Sequence, residues 1–162
     1  MNKEGHVLNA VLLGIGLGFV LEPSGTAETL RTIVAVTIPV TLGALFPDVD
    51  TAFGKHRKTL HNLPVLGLFV GFPFVFANLS YVWVGVFTHY VLDYLGSRRG
   101  IALFYPLSRA EYGFPSGVTT SSRFANVITI VVTGVELAAA VAIVHILPEY
   151  VDIGAVTATF PL

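Results

Sequence analysis

The stretch HNLPVLGLFVGFPFVFANLSYVWVGVFTHYVL, residues 61–92, runs for 32 residues without one Asp, Glu, Lys or Arg. As one helix from His61 to Asp93 it would extend about 48 Å, at roughly 1.5 Å per residue, well past a hydrocarbon core of about 30 Å. It therefore needs a break, and Ala77-Asn78-Leu79-Ser80 is its most turn-like point. The cut leaves two short apolar segments, 63–77 and 81–95, which are either thin spans or a re-entrant hairpin that does not fully cross.

Working outward, Gly5 to Leu21 and Thr32 to Pro47 also lack charge, and Phe124 to Leu147 is broken only by Glu136. With 54% hydrophobic residues, 12% charged residues and a mean hydropathy of +0.76, the chain has too little polar surface for a soluble domain of 162 residues. The expectation is an all-α, polytopic helical membrane protein of about five segments (four to six): 6–21, 29–46, 63–77, 81–95 and 124–147. Residues 1–162 form a single membrane-embedded domain, with a polar loop at 96–123 and a tail at 148–162. The opening MNKEGH and the apolar run after it also resemble a signal peptide with cleavage near Gly25-Thr26-Ala27, but further membrane segments follow. A net charge of −1 and a pI near 6.5 give no basic field for nucleic acid, and the absence of cysteine excludes disulfides and thiolate metal sites.

Lysines and arginines sort by side. Lys3, Lys55, Arg57, Lys58, Arg98, Arg99, Arg109 and Arg123 fall on one face of a five-span arrangement and only Arg31 on the other. This asymmetry places the N-terminus, the 47–62 connection and the 96–123 loop in the cytoplasm and the tail outside. The same count brings His6, Asp48, Asp50, His56, His61, His89 and Asp93 to that face, four of the five histidines and three of the four aspartates.

His89 and Asp93 stand four apart and project from one helix face. Asp48 and Asp50 follow Pro47, where a helix stops and a turn can aim both carboxylates at one point. His56 and His61 stand five apart, about 140° on a helix, so part of that stretch is expected to be irregular. Each pattern has a bland reading as a solvated loop, a satisfied histidine or a topology charge. Ionisable side chains rarely gather at membrane segment ends without pairing or a metal, however, and imidazole with carboxylate suits Zn²⁺, Mn²⁺ or Fe²⁺.

The order GHVLNA, LFPDVD, KHRKTLH and FTHYVLDYLGSRRGIALFYP, over roughly residues 5–115, resembles the LexA-regulated, YdjM-like group of inner-membrane metal-dependent hydrolases. Thr51, Lys58 and the Leu60-His61-Asn62 triplet depart from that group's pattern, which leaves the ligand types in place and alters the hydroxyls around them. The resemblance implies a centre of one or two divalent ions, Zn or Mn, held among His6, Asp48, Asp50, His56, His61, His89 and Asp93. A water acidified to a pKa of about 7 would be the nucleophile, Asp50 the base and Arg57 a clamp on a phosphoryl oxygen. A phosphoester such as a lipid headgroup at the cytoplasmic surface is the expected substrate. A metal transporter or sensor, and an inactive scaffold that retains a structural metal, are the other readings.

Other features read as structural. Gly14-Ile15-Gly16-Leu17-Gly18 suits close helix packing. Tyr81, Trp83, Tyr90, Tyr94 and Tyr105 suit the interfacial belts, and His145 lies at the opposite face from the cluster. Glu136, an intramembrane carboxylate, is either functional or a neutral, hydrogen-bonded packing group.

Overall fold

The computed structural model describes residues 3–76, 79–115, 117–119 and 122–150. Its helices are α1 (Lys3–Leu21), α2 (Ala27–Leu45), α3 (Leu63–Phe76), α4 (Val82–Gly96) and α5 (Ala125–Val141). A 3₁₀ turn, Pro47–Ala52, follows α2, and α5 runs through a π-helical turn, Ala142–Ile146, into a last short helix, α6 (Leu147–Tyr150). The described residues contain no strand, only the isolated bridges Ser97–Val118 and Ile101–Tyr112, so the fold is all-helical. The tail beyond Tyr150 lies outside the described residues.

Three stretches, Lys3–Leu21, Ala27–Ala52 and Ala125–Ile146, are long and apolar enough to cross a membrane. The two halves of the 61–92 run are shorter. At 14 and 15 residues, α3 and α4 reach only about 21 and 23 Å, the short pair of segments expected from the sequence. The expected break holds: α3 ends at Phe76, α4 starts at Val82, and Leu79 takes a left-handed turn conformation with φ of +62°.

Local chemistry explains the ends. The Thr26 hydroxyl accepts from the Glu28 amide and caps α2, with Glu28 complementing the positive end of the helix. At the other end Pro47 opens the 3₁₀ turn that carries Asp48 and Asp50. Outward faces are apolar, as in Leu30, Val34, Ile38 and Leu42 of α2 and Val127, Val131 and Val135 of α5, all more than half exposed. That is the arrangement of a bundle whose surroundings are lipid.

Helices approach through small residues. A Cβ on Gly14 would lie 2.6 Å from the Thr37 Cα, and one on Gly18 the same distance from the Ile33 Cα, so these two glycines form the seam of α1 with α2, while Gly16 faces Leu137 of α5. Gly43 of α2 and Gly85 of α4 pack backbone to backbone; a Cβ on either would strike the Val82 or Val40 carbonyl oxygen. This close approach sets the Asp-bearing end of α2 beside the second half of α4.

The loop after α4 folds back over that end. Ile101 and Tyr112 exchange backbone hydrogen bonds, Val118 donates to Gly96, and Ala102 donates to the Arg57 carbonyl. Ile101 and Ala102 are fully buried, so the loop forms a wall rather than a solvated connection.

Candidate metal centre

Each polar side chain reaches the site from a different element. His6 comes from the first turns of α1, Asp48 and Asp50 from the 3₁₀ turn, His56, Arg57 and His61 from the 53–62 connection, and His89 and Asp93 from α4. The connection is irregular, as the five-residue spacing of its histidines required. Arg57 has φ of +67°, and Asn62 ties the end of the loop by donating to the Lys58 and Thr59 carbonyls and accepting from Val65.

The structure brings all seven sequence-derived ligand candidates together. At the centre, His61 Nε2 and His89 Nε2 face each other at 3.1 Å. Asp48 Oδ1 lies 3.9 and 3.7 Å from those two nitrogens, and Asp93 Oδ2 lies 3.8 Å from each. Four ligands bound at about 2.0–2.1 Å to a tetrahedral zinc stand about 3.3–3.4 Å from one another. These separations fall on either side of that spacing.

The outer nitrogens fix the tautomers. His89 Nδ1 donates to the Ala44 carbonyl at 2.7 Å, because a carbonyl oxygen only accepts. His61 Nδ1 lies 3.1 Å from Asp50 Oδ2, a carboxylate acceptor. Both Nε2 atoms of the neutral rings therefore present lone pairs to each other, which repel unless a cation sits between them. Burial pushes the His61 imidazolium pKa below its ordinary value of 6.5, outweighing the neighbouring aspartates, so a proton is a poor candidate for that cation.

Charged groups crowd the same space. Asp50 and Asp93 are essentially inaccessible, Asp48 keeps 12% of its side-chain surface, and one guanidinium, that of Arg57, lies among them. Three carboxylates and the Arg57 guanidinium thus share one largely buried space with the imidazoles. The donor set, imidazole and carboxylate without thiolate, fits zinc or manganese.

Two histidines flank the centre. The His6 ring stacks on His89 with centroids 3.7 Å apart, and its Nε2 lies 3.4 Å from Asp93 Oδ1 without hydrogen-bond alignment. His6, His89 and Asp93 can offer ligand atoms to one ion, and Asp48, His56 and His61 to another. His56 is the most open, at 37% side-chain exposure, with Nδ1 3.0 Å from Asp50 Oδ1.

The two residues expected to do chemistry are tied into the frame. Asp50 is fully buried, with one oxygen on His56 and the other on His61 and the Leu60 amide. That is the carboxylate–histidine support that orients metal-binding imidazoles. The Arg57 guanidinium sits 3.5 Å from Asp93 and donates to the Arg99 carbonyl.

Sequence reasoning missed several supports. Tyr90, expected at an interfacial belt, is buried; its hydroxyl donates to the Leu60 carbonyl and accepts from the Asn62 amide. Its place next to His89 on a helix end was the only available signal. Lys58, counted among the charges that set the topology, pairs with Glu111 at 3.1 Å, and the forked Arg99–Glu111 contact with Lys58 beside it pulls the Glu111 carboxyl down to about 2.

A family model described as YdjM inner membrane protein matches residues 1–160, and the chain belongs to that family. No curated protein and no solved structure matches it.

Proposed function

We propose that this member of the YdjM inner membrane protein family is a membrane-bound, metal-dependent hydrolase acting on a phosphoester of the lipid-headgroup kind. The observation that carries the reading is the pair of facing imidazole nitrogens 3.1 Å apart, flanked by the Asp48 and Asp93 carboxylates. His61, His89, Asp48 and Asp93 hold the ion, and His6 and His56 extend the donor set toward a second position. When bound, the ion supplies Lewis acidity and acidifies water near neutral pH.

The chain's own residues do the rest. Asp50 orients His56 and His61 rather than acting as the base, since both its oxygens are engaged. The proton acceptor belongs at the open rim, where Asp48 and His56 reach the surface. Arg57 supplies a positive charge within the cluster and bears on a phosphoryl oxygen as its contact with Asp93 loosens. The excess of lysine and arginine around these loops supports a cytoplasmic position for the site, at the depth of the headgroups.

A metal transporter would need ligands along a path through the bundle, whereas these candidates gather at one end. The test is metal analysis of detergent-purified protein, followed by a panel of phosphomonoesters and phosphodiesters with and without chelator. Stoichiometric metal and chelator-sensitive turnover are expected. Protein that binds no zinc or manganese defeats the reading, and bound metal without hydrolysis of any phosphoester leaves the scaffold reading in its place.

A further inference from the structure

A second polar cluster lies deeper in the bundle and takes no part in the metal centre. Asn9 of α1, Thr88 of α4, and Thr133 and Glu136 of α5 meet inside it. Thr88 Oγ1 lies 2.6 Å from Asn9 Oδ1 and 2.6 Å from Glu136 Oε1. Asn9 Nδ2 lies 2.9 Å from both Glu136 Oε2 and Thr133 Oγ1. The Thr133 hydroxyl donates to the Thr129 carbonyl at 2.8 Å.

Counting hydrogens decides the charge. An amide oxygen cannot donate, so Thr88 gives its single hydroxyl hydrogen to Asn9 Oδ1. The 2.6 Å contact between Thr88 and Glu136 then joins two oxygens with no hydrogen left, unless the carboxyl group carries one. Turning the Asn9 amide over does not help. Its oxygen would then stand 2.9 Å from Glu136 Oε2, and again only a carboxyl hydrogen can bridge the two.

We infer that Glu136 is a neutral carboxylic acid whose proton closes a hydrogen-bonded ring, Glu136 to Thr88 to Asn9 and back to Glu136, and that this ring positions α1 and α4 on α5. Among the described residues Glu136 forms no ion pair: α1 presents Asn9 to it, α4 presents Thr88, and α5 itself presents Thr133. The nearest titratable groups on the packed helices are His6, one turn before Asn9, and His89, next to Thr88. Their rings are engaged with each other, and His145 of the π-helical turn instead donates to the Val20 carbonyl. The ring thus fixes the register of the two helices whose histidines stack at the cluster. A charged carboxylate there would leave one oxygen pair repelling and a charge in hydrocarbon.

Glutamine mimics the neutral acid, donating to Thr88 through its amide nitrogen and accepting from Asn9 through its oxygen, whereas alanine supplies neither. The experiment compares the full chain in detergent as wild type, Glu136→Gln and Glu136→Ala. All are treated with chelator, so that the result does not depend on the metal reading. Infrared spectroscopy at neutral pH should show the carbonyl stretch of a protonated carboxyl group in the wild type and lose it in Glu136→Gln. Glu136→Gln should keep the wild-type melting temperature, and Glu136→Ala should lower it or fail to fold. A wild type without the acid band at neutral pH overturns the protonated ring. Glu136→Gln as destabilised as Glu136→Ala, or Glu136→Ala as stable as the wild type, overturns its positioning role.

Discussion

Two buried polar clusters, one helical turn apart on α1 and adjacent on α4, solve the same problem differently. The outer cluster gathers facing imidazole nitrogens, three carboxylates and the Arg57 guanidinium. The inner one has a carboxyl group, an amide and hydroxyls that close on themselves once a single proton is added. The difference is charge. A group that can be made neutral by one proton is satisfied inside an apolar bundle, whereas carboxylates gathered around imidazoles form the donor set proposed above for a divalent ion.

The comparison breaks first at the central ligands. His89→Ala and Asp93→Ala should abolish stoichiometric zinc or manganese in purified protein while leaving helicity intact, measured by elemental analysis and circular dichroism. Retention of full metal content in both variants would mean that the outer cluster needs no ion. Arg57→Lys comes next. It should keep the metal but lose about 10²- to 10³-fold in kcat on the best phosphoester found, because a point charge cannot grip two oxygens. Undiminished turnover would confine Arg57 to holding Asp93 and the Arg99 carbonyl.

Asp50→Asn turns one of the two acceptor oxygens that orient His56 and His61 into a donor, and should weaken metal affinity about 10- to 100-fold, as losses of the groups that orient metal-binding imidazoles do. An unchanged dissociation constant by titration calorimetry would detach Asp50 from the centre. pH sharpens the contrast further. Burial lowers the folded-state pKa of His61 below 6.5, so its neutral form contributes stability that is complete above 6.5 and lost as pH falls toward the lowered value. Metal-free protein should melt at progressively lower temperature as pH drops below 6.5, and His61→Gln should flatten that slope. The smallest effect belongs to Lys58→Ala. Its partly exposed pair with Glu111 is worth below about 1 kcal/mol, and bound metal should be unchanged.

The loop over the cluster shows where the sequence stopped being legible. Its glycines, prolines and arginines read as a polar connection, yet Ile101 and Ala102 are buried in it and the Arg57 carbonyl is one of its partners. Pairing between residues 57 and 102 depends on where α3 and α4 turn back, which no local pattern encodes. Tyr90 failed in the same way: its ring suits an interface equally well, and only the folded 60–62 segment supplies the partners that bury it.

What the sequence by itself determined is local: the membrane class, helix positions, the break near residue 78, and a set of histidines and aspartates on one side. Run length and charge spacing are properties of contiguous stretches, so one dimension of the chain is enough to read them. The tertiary structure alone decided which atom faces which. Backbone contact of Gly43 with α4 brings the Ala44 carbonyl to His89 and fixes its tautomer, Asp50 lands on two imidazoles rather than at an open site, and three helices meet so that Glu136 must carry a proton. Hydrogen-bond direction depends on distances of a few tenths of an ångström between segments far apart in the chain, and packing sets those distances.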